Sequence, residues 1–329
     1  MDRGLVAGPE FAHAVRSGEA YERYADPGGG LVVVDGDALP DALDAITTDH
    51  LLTVPAVVVA SVSDPTRRPA WADLVLDGDG PHLADLAATV RSNPQASTVL
   101  AVLLRSGGGR STAEGLVAES ATYGLLQSGP EFDRWRSGRA RPRRPPDPSP
   151  RVLVERRGDH LLVTLDRPDV HNALDAAMRD QLDAALRIAV MDPSIDSVHL
   201  HGAGPSFCSG GDLDEFGTRS DPPAAHLIRL LRNPGRTIAE VADRTVAHLH
   251  GDVAGSGIEL AAFAHRVVAT RSTRISLPEV RLGLIPGAGG TVSIPRRIGR
   301  HRTLLLALAV DRIDAATALE WGLVDELLP

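Results

Sequence analysis

Lysine is absent from this 329-residue sequence, so all 34 Lys+Arg positions are arginine. Without a side-chain primary amine there is no Schiff-base aldolase, no pyridoxal phosphate enzyme and no P-loop nucleotidase. Carboxylates, imidazoles, hydroxyls and the backbone are left to carry any chemistry. Cysteine is nearly absent too. Cys208 stands alone, which rules out an intramolecular disulfide and makes a structural zinc site dependent on several histidines. That usage fits a reducing cytoplasm. Aromatic residues make up 3% and the net charge is -9, so the stacking platforms and basic patches that bind nucleic acid are both lacking. No apolar run approaches the ~18 residues of a membrane span. Residues 1–10 lack the basic and apolar stretches of a secretory signal. The expectation is a protein that is neither secreted nor membrane-spanning.

What is present is ordinary for a globular chain. Hydrophobic residues are 43% and charged residues 23%, enough for a sizeable core in about two domains of roughly 150 residues each. The sharpest break is residues 134–151, RWRSGRARPRRPPDPSPR. Proline removes backbone donors and the arginines repel one another, so 134–150 reads as an extended, solvated linker between 1–133 and 151–329. In the first region, valine-rich runs at 31–34 and 54–62 alternate with helical spacing at 83–91 and 113–127. That is the pattern of an α/β extension. Its glycine clusters at 28–30 and 107–109 have neither GxGxxG nor GxxxxGK spacing and read as turns. No catalytic constellation is visible there.

The second region opens with apolar runs at 152–155 and 160–165 separated by RRGD, a hairpin pattern. RPDVHNALD then leads into a helix that Asp175 or Asn172 can cap, with Leu174, Met178, Leu182 and Leu186 as a core stripe. Strands at 197–202 and 245–250 each run into a glycine-rich turn, GPSFCSGGDLDEF and GDVAGSGIELAAFAHRVVAT. Such turns leave backbone N–H groups uncommitted, and two of them can polarise one carbonyl from two sides. His199 and His201 alternate on the first strand, a spacing that also suits metal ligands. No third ligand is evident, so the expectation is that no metal binds and that both are sheet-face residues. His248 and His250 read the same way, with His250 holding a loop. Cys208 has no activating partner and reads as a small buried residue. Asp212 reads as a turn former.

In order and spacing, RPDVHNAL, FCSGGDLDEF, HGDVAGSGIELAAFAHRVVAT, ISLPEVRLGLIPGAGGT and DAATALEWGLVDELLP resemble the enoyl-CoA hydratase/isomerase, or crotonase, superfamily. The resemblance runs from about residue 152 to the C-terminus. It implies an α/β fold, a crotonase-like spiral of ββα turns over 151–329 preceded by the α/β extension. It also implies trimers or hexamers, an acyl-CoA thioester substrate and no cofactor, since coenzyme A is part of the substrate. The family's oxyanion-hole donors match the backbone N–H groups of Gly211 and Ser256, the latter a glycine in many relatives. Ala173, Gly211, Asp212, Leu213 and Asp214 match its CoA contacts, and Gly287 the glycine that helps hold water. Relatives often carry a phosphate-binding lysine near Asp214, and Arg167 or Arg219 is the candidate substitute here.

Glu259 and Glu279 match the family's paired hydratase glutamates. Adding water across a carbon–carbon double bond needs a base at C3 and an acid at C2, and two carboxylates around one water can be both. The resemblance assigns Glu259 to activating water and Glu279 to protonating C2, with crowding and burial raising at least one pKa. The implied activity is reversible hydration of a trans-2-enoyl-CoA to a 3-hydroxyacyl-CoA. Isomerisation between C2 and C4 with a single glutamate is the nearest alternative. The cofactor-free dioxygenases of the superfamily also have long N-terminal extensions, but the retention of both acids argues against them. A different class of reading is a catalytically weak acyl-CoA-binding or assembly subunit. Relatives usually continue past the GLVDELLP segment with helices that cover the acyl site and build the trimer, so residues 1–133 are expected to act as a lid or assembly domain that covers the site in their own or a neighbouring subunit.

Overall fold

The structure is a computed structural model that describes residues 5–24, 30–64, 66–77, 81–139, 149–218 and 221–329. Arg219 and residues 140–148 of the expected linker lie outside the described residues. Near the N-terminus, α1 (Gly8–Ser17), α2 (Ala20–Tyr24) and α3 (Ala45–Leu51) accompany a parallel sheet. Its order is β1 (Gly30–Asp35), β2 (Ala56–Val62), β3 (Leu74–Asp77). The strand expected from residue 54 begins at Ala56 because Pro55 has no N–H to give the ladder. Val57, Val58, Val59 and Ala60 are all fully buried, as an apolar run covered on both faces must be. Val58 and Ala60 face a core confined to the N-terminal region. Val57 and Val59 face a second core that continues into residues 151–329.

Four helices follow: α4 (Pro81–Ser92), α5 (Pro94–Arg105), α6 (Thr112–Gln127) and α7 (Pro130–Ser137). Residues 134–137 of the expected linker are therefore helical, since Pro130 starts a helix that carries Arg134 and Arg136 in its last turn. Ser111 and Glu114 close a reciprocal capping box at the start of α6. Next come the hairpin β4 (Val152–Arg157) and β5 (His160–Leu165), which turns at Gly158 with φ 65°, and α8 (Ala176–Met191). Asp175 caps α8 by accepting from the Met178 N–H at 2.7 Å, so Asn172 is not the cap. Leu174 precedes the helix and bridges Gly211, so the core stripe starts at Met178.

The chain goes on through β6 (Ser197–Gly202), α9 (Pro222–Leu231), α10 (Pro234–Glu240), β7 (Thr245–Leu249), β8 (Asp252–Ala254), α11 (Ser256–Ala261), β9 (Arg266–Thr270) and β10 (Arg274–Ser276). It ends with α12 (Gly290–Leu308), β11 (Ile313–Asp314), α13 (Ala315–Trp321) and β12 (Glu326–Leu328). The strands form a six-stranded sheet, β12-β9-β7-β6-β5-β4, and a small one, β11-β10-β8, and β7 to β10 alternate between the two. Each β7-β8-α11-like turn therefore adds a strand to both sheets and a helix, which is the expected ββα spiral. The N-terminal region is fastened to it: α6 lies so close to α12 that a Cβ on Gly115 would meet Val292 at 2.7 Å. No helix among the described residues is long and apolar enough to cross a membrane.

Candidate active site

The glycine-rich loops after β6 and β8 lie side by side. Cys208 and Val253 form an isolated parallel bridge, and the Ala254 N–H donates to the Cys208 carbonyl at 3.0 Å. The turns rest on left-handed glycines, Gly210 at φ 102° and Gly255 at φ 47°. A side chain on Gly255 would also run into Oε1 of Glu279. Because Gly255 takes the strained position, Ser256 opens α11 with ordinary backbone, and serine there keeps its N–H in place. Neither the Gly211 nor the Ser256 N–H has an acceptor among the described residues. Asn172 fixes the first loop from below. It is fully buried at φ 55°; its Nδ2 donates to Ala203 and Ser206 carbonyls at 2.8 Å, and its Oδ1 accepts from the Arg167 N–H at 2.7 Å.

These donors face a cavity of about 220 Å³ whose wall includes Gly211, Asp212, Ser256, Glu259, Glu279 and Gly287. Glu259 is 2% exposed and stands on α11. Its Oε2 accepts from the Ala288 N–H at 2.7 Å and the Gly290 N–H at 2.9 Å. Burial pushes its carboxyl up to about 7, against these backbone donors, which favour the anion. Glu279 sits in the short 3₁₀ turn Glu279–Leu282, and its Oε2 is buried without a hydrogen-bond partner. Burial, and then repulsion from Glu259, hold it well above the usual carboxylate range. The two acids are thus held apart in affinity for a proton by the number of donors each one meets.

A third buried carboxylate joins them from the N-terminal region, where no site residue was expected. Glu119 of α6 accepts from the Gly289 N–H at 2.7 Å, the Thr291 N–H at 2.9 Å and the Thr291 hydroxyl at 2.7 Å. The first turn of α12 has N–H groups with no intrahelical acceptor. Glu259 takes those of Ala288 and Gly290, and Glu119 takes those of Gly289 and Thr291. Desolvation and then Glu259 raise Glu119 to about 8. One turn further along α6, Tyr123 lines the cavity with its ring against Gly287, where a Cβ would meet it at 2.5 Å. The Arg229 guanidinium covers that ring at 4.9 Å. From α7, Phe132 and Trp135 stack with centroids 5.6 Å apart, and Trp135 meets Phe216, which covers Gly211. The sequence signal for Glu119 was an acid on the apolar face of a helix, with Leu116 and Tyr123 one turn to either side.

Other expected contacts are placed less directly. Ala173, Leu213 and Asp214 adjoin wall residues in sequence but are not among those lining the cavity. The Ala173 carbonyl accepts from Arg167 at 2.5 Å. Arg167 is not a phosphate ligand. It is buried and engaged by Asp212 at 3.0 Å and Asp175 at 3.2 Å. Arg179 and Arg232 stand in the cavity wall instead; Arg179 is paired with Asp180 at 2.7 Å, whereas Arg232 is exposed and has no partner among the described residues. Asp212 has the expected turn role, accepting from the Asp214 N–H at 3.1 Å. Cys208 is fully buried, and burial raises its thiol to about 11. His250 meets the Gly204 carbonyl at 3.0 Å and holds its loop.

The sequence pattern of the enoyl-CoA hydratase/isomerase family matches residues 156–329. The chain is 36% identical to a probable enoyl-CoA hydratase of Rhodobacter capsulatus over 51% of this chain and 65% of that protein. It is 35% identical to a peroxisomal bifunctional enzyme of Danio rerio over 50% of this chain and 22% of that protein. It is also 34% identical to the 1,2-epoxyphenylacetyl-CoA isomerase of Escherichia coli over 50% and 64%. The chain thus spans less than two thirds of the length of each of these relatives. Enoyl-CoA hydratase from Thermoplasma volcanium superposes with TM-score 0.50 at 33% identity, covering 55% of this chain and 72% of that chain. The enzyme from Bacillus anthracis superposes with TM-score 0.51 at 30% identity, covering 54% and 70%.

Proposed function

Because the chain belongs to the enoyl-CoA hydratase/isomerase family, we propose that it adds water reversibly to a trans-2-enoyl-CoA to give the 3-hydroxyacyl-CoA. The observation that carries this reading is the pair of buried, unequally solvated carboxylates beside two unengaged backbone N–H groups. In it, the thioester oxygen lies between the N–H groups of Gly211 and Ser256, which stabilise the enolate that forms as water attacks. Glu259, the better solvated acid, is ionised and takes the proton from water as its oxygen bonds to C3. Glu279, the poorly solvated one, is protonated and delivers its proton to C2. Gly287 helps hold the water by its backbone while its missing side chain leaves room for the Tyr123 ring, α6 covers the acyl chain, and Arg232 is the candidate partner for a CoA phosphate. No cofactor is required, coenzyme A being part of the substrate.

Isomerisation has one observation in its favour. Glu259 is anchored by two backbone donors, whereas the unpartnered Oε2 of Glu279 is able to carry a proton between C2 and C4 alone. The test follows turnover of crotonyl-CoA, a longer 2-enoyl-CoA and a 3-enoyl-CoA by the parent, Glu259→Gln and Glu279→Gln. Hydration predicts that each substitution lowers kcat by about 10²–10⁴. Isomerisation predicts activity on the 3-enoyl-CoA that survives Glu259→Gln. Tight CoA binding with no turnover, unaltered by either change, overturns both readings in favour of an acyl-CoA-binding subunit.

A further inference from the structure

Away from the acyl cavity, the outer face of the six-stranded sheet carries a group of histidines. Strand alternation puts His199 and His201 of β6 on that face, half-buried, while Val198 and Leu200 point into the core. The sequence shows no third ligand beside them, but strand pairing supplies one. β7 runs parallel to β6 in the register Leu200↔Ala247, which sets His248 next to His201. One nitrogen from each of the three rings lies within 4.8 Å of the others. His199 Nδ1 and His248 Nε2 are 3.0 Å apart, and the His201 and His248 rings stack at 4.3 Å with 14° between their planes.

We propose that His199, His201 and His248 bind one divalent first-row transition-metal ion, such as zinc, with its fourth position open on the sheet face. Two imidazole nitrogens on one tetrahedral zinc, each at about 2.05 Å, are about 3.3 Å apart. The His199–His248 pair is within a few tenths of an ångström of that spacing, so an ion replaces the shared proton with little movement. The trio sits on paired strands, which fix the backbones, and His201 needs only side-chain rotation to join. A second observation concerns the far side of His199. Its Nε2 meets Ser197 Oγ at 3.1 Å, leaving Nδ1 for the ion, and a partner of this kind orients a ligating imidazole. Three imidazoles without a carboxylate select zinc, cobalt, nickel or copper over magnesium or calcium. Arg266, which pairs with Val246 in the register of β7 and β9, is itself paired with Glu326.

Calorimetric titration of the chelator-stripped full chain with zinc chloride tests this, together with the visible absorption of its cobalt(II) complex. One equivalent is expected to bind, with cobalt(II) bands of tetrahedral intensity. His201→Ala and His248→Gln are each expected to weaken zinc binding at least about tenfold, and Ser197→Ala by a few-fold. Turnover of enoyl-CoA and the circular dichroism spectrum are expected to stay the same in all three. Two results overturn the site: no saturable binding to the parent protein, or equal stoichiometry and affinity in the folded His201→Ala and His248→Gln variants. The parent's cobalt spectrum gives an answer even if a variant does not fold, because octahedral bands also overturn the assignment.

Discussion

The two walls of the candidate active-site cavity present their functional groups in different ways. The wall from residues 151–329 uses loops, where Gly211 and Ser256 offer backbone N–H groups, Glu259 stands just beyond the turn at Gly255 and Glu279 just before the turn at Gly283. The wall from α6 uses a helix face, where Tyr123 and Gln127 stand one turn apart, and Glu119 of α6 with Phe132 and Trp135 of α7 support it as single side chains. A loop site needs particular residues side by side in sequence, so it leaves a motif. A helix face needs only one residue per turn and leaves the rest of the sequence open. Both walls meet at the start of α12, where Glu259 and Glu119 share its unsatisfied N–H groups. The comparison therefore predicts one cooperative unit with two kinds of sensitivity, which substitutions can test.

The largest effect is expected from a residue outside both walls that decides whether the N-terminal wall exists. Asp73 and Arg105 form a salt bridge with side chains 0% and 1% exposed. Arg105 also donates to the carbonyls of Leu51, Val54 and Ala56. Asp73→Ala leaves that guanidinium buried without its counter-charge and is expected to cost about 3–5 kcal/mol. Urea unfolding followed by fluorescence and by enoyl-CoA turnover is expected to show a single transition for both. Survival of turnover after the fluorescence change would break the comparison, making the N-terminal region a separate unit.

Next is Gly255→Ala, which strikes the loop wall alone. A side chain at φ 47° is strained, and this one runs into Glu279. Displacing the Ser256 N–H is expected to lower kcat by about 10²–10³, the usual consequence of losing one oxyanion donor. Thermal unfolding measured alongside separates this from a loss of folded protein.

The unequal legibility of the walls follows from the same contrast. Glu259 and Glu279 are readable because each is set by glycines a few residues away, and the β6 and β8 turns by the strands that feed them. Asn172 looked like a helix cap because its neighbours favour one, but its side chain ties Ala203, Ser206 and Phe207 together. Arg167 looked free because nothing local in sequence shows that Asp212 folds back onto it. Glu119 reaches Gly289 across 170 positions, and the one clue to it was a carboxylate on a face otherwise fit for the core. His248 stands out on its strand in the sequence, but only the register of β6 and β7 sets it beside His199 and His201.

A smaller, pH-dependent effect tests the shared cap. Glu119 has an ordinary value of 4.5 and stands at about 8 in the folded protein. The native state therefore keeps a proton that the unfolded chain gives up, so this contribution to stability is whole below pH 4.5 and is lost as pH rises toward 8. Glu119→Gln has no such titration, and its plot of melting temperature against pH is expected to be flatter over that window. At pH 5 the variant is expected to be less stable by about 1–3 kcal/mol, since one amide oxygen cannot serve both the Gly289 and Thr291 N–H groups. An unchanged slope would show that Glu119 is ionised in the fold.

The smallest change, Tyr123→Phe, asks whether the helix wall only covers the substrate or also touches it. The ring is fixed between Gly287 and Arg229, and phenylalanine keeps both contacts, so the melting temperature is expected to hold. The hydroxyl has no hydrogen-bond partner among the described residues, and burial raises its pKa, keeping the proton on. It is thus a donor facing the cavity, near Glu259 and Glu279. Removing a neutral hydrogen bond of this kind is expected to lower kcat/KM about 3- to 10-fold. A loss confined to KM places the hydroxyl on the bound substrate or its water in the ground state, whereas a loss confined to kcat places it on the transition state. No change in either, with the fold intact, would reduce α6 to a cover and leave all direct contact with the substrate to the loop wall.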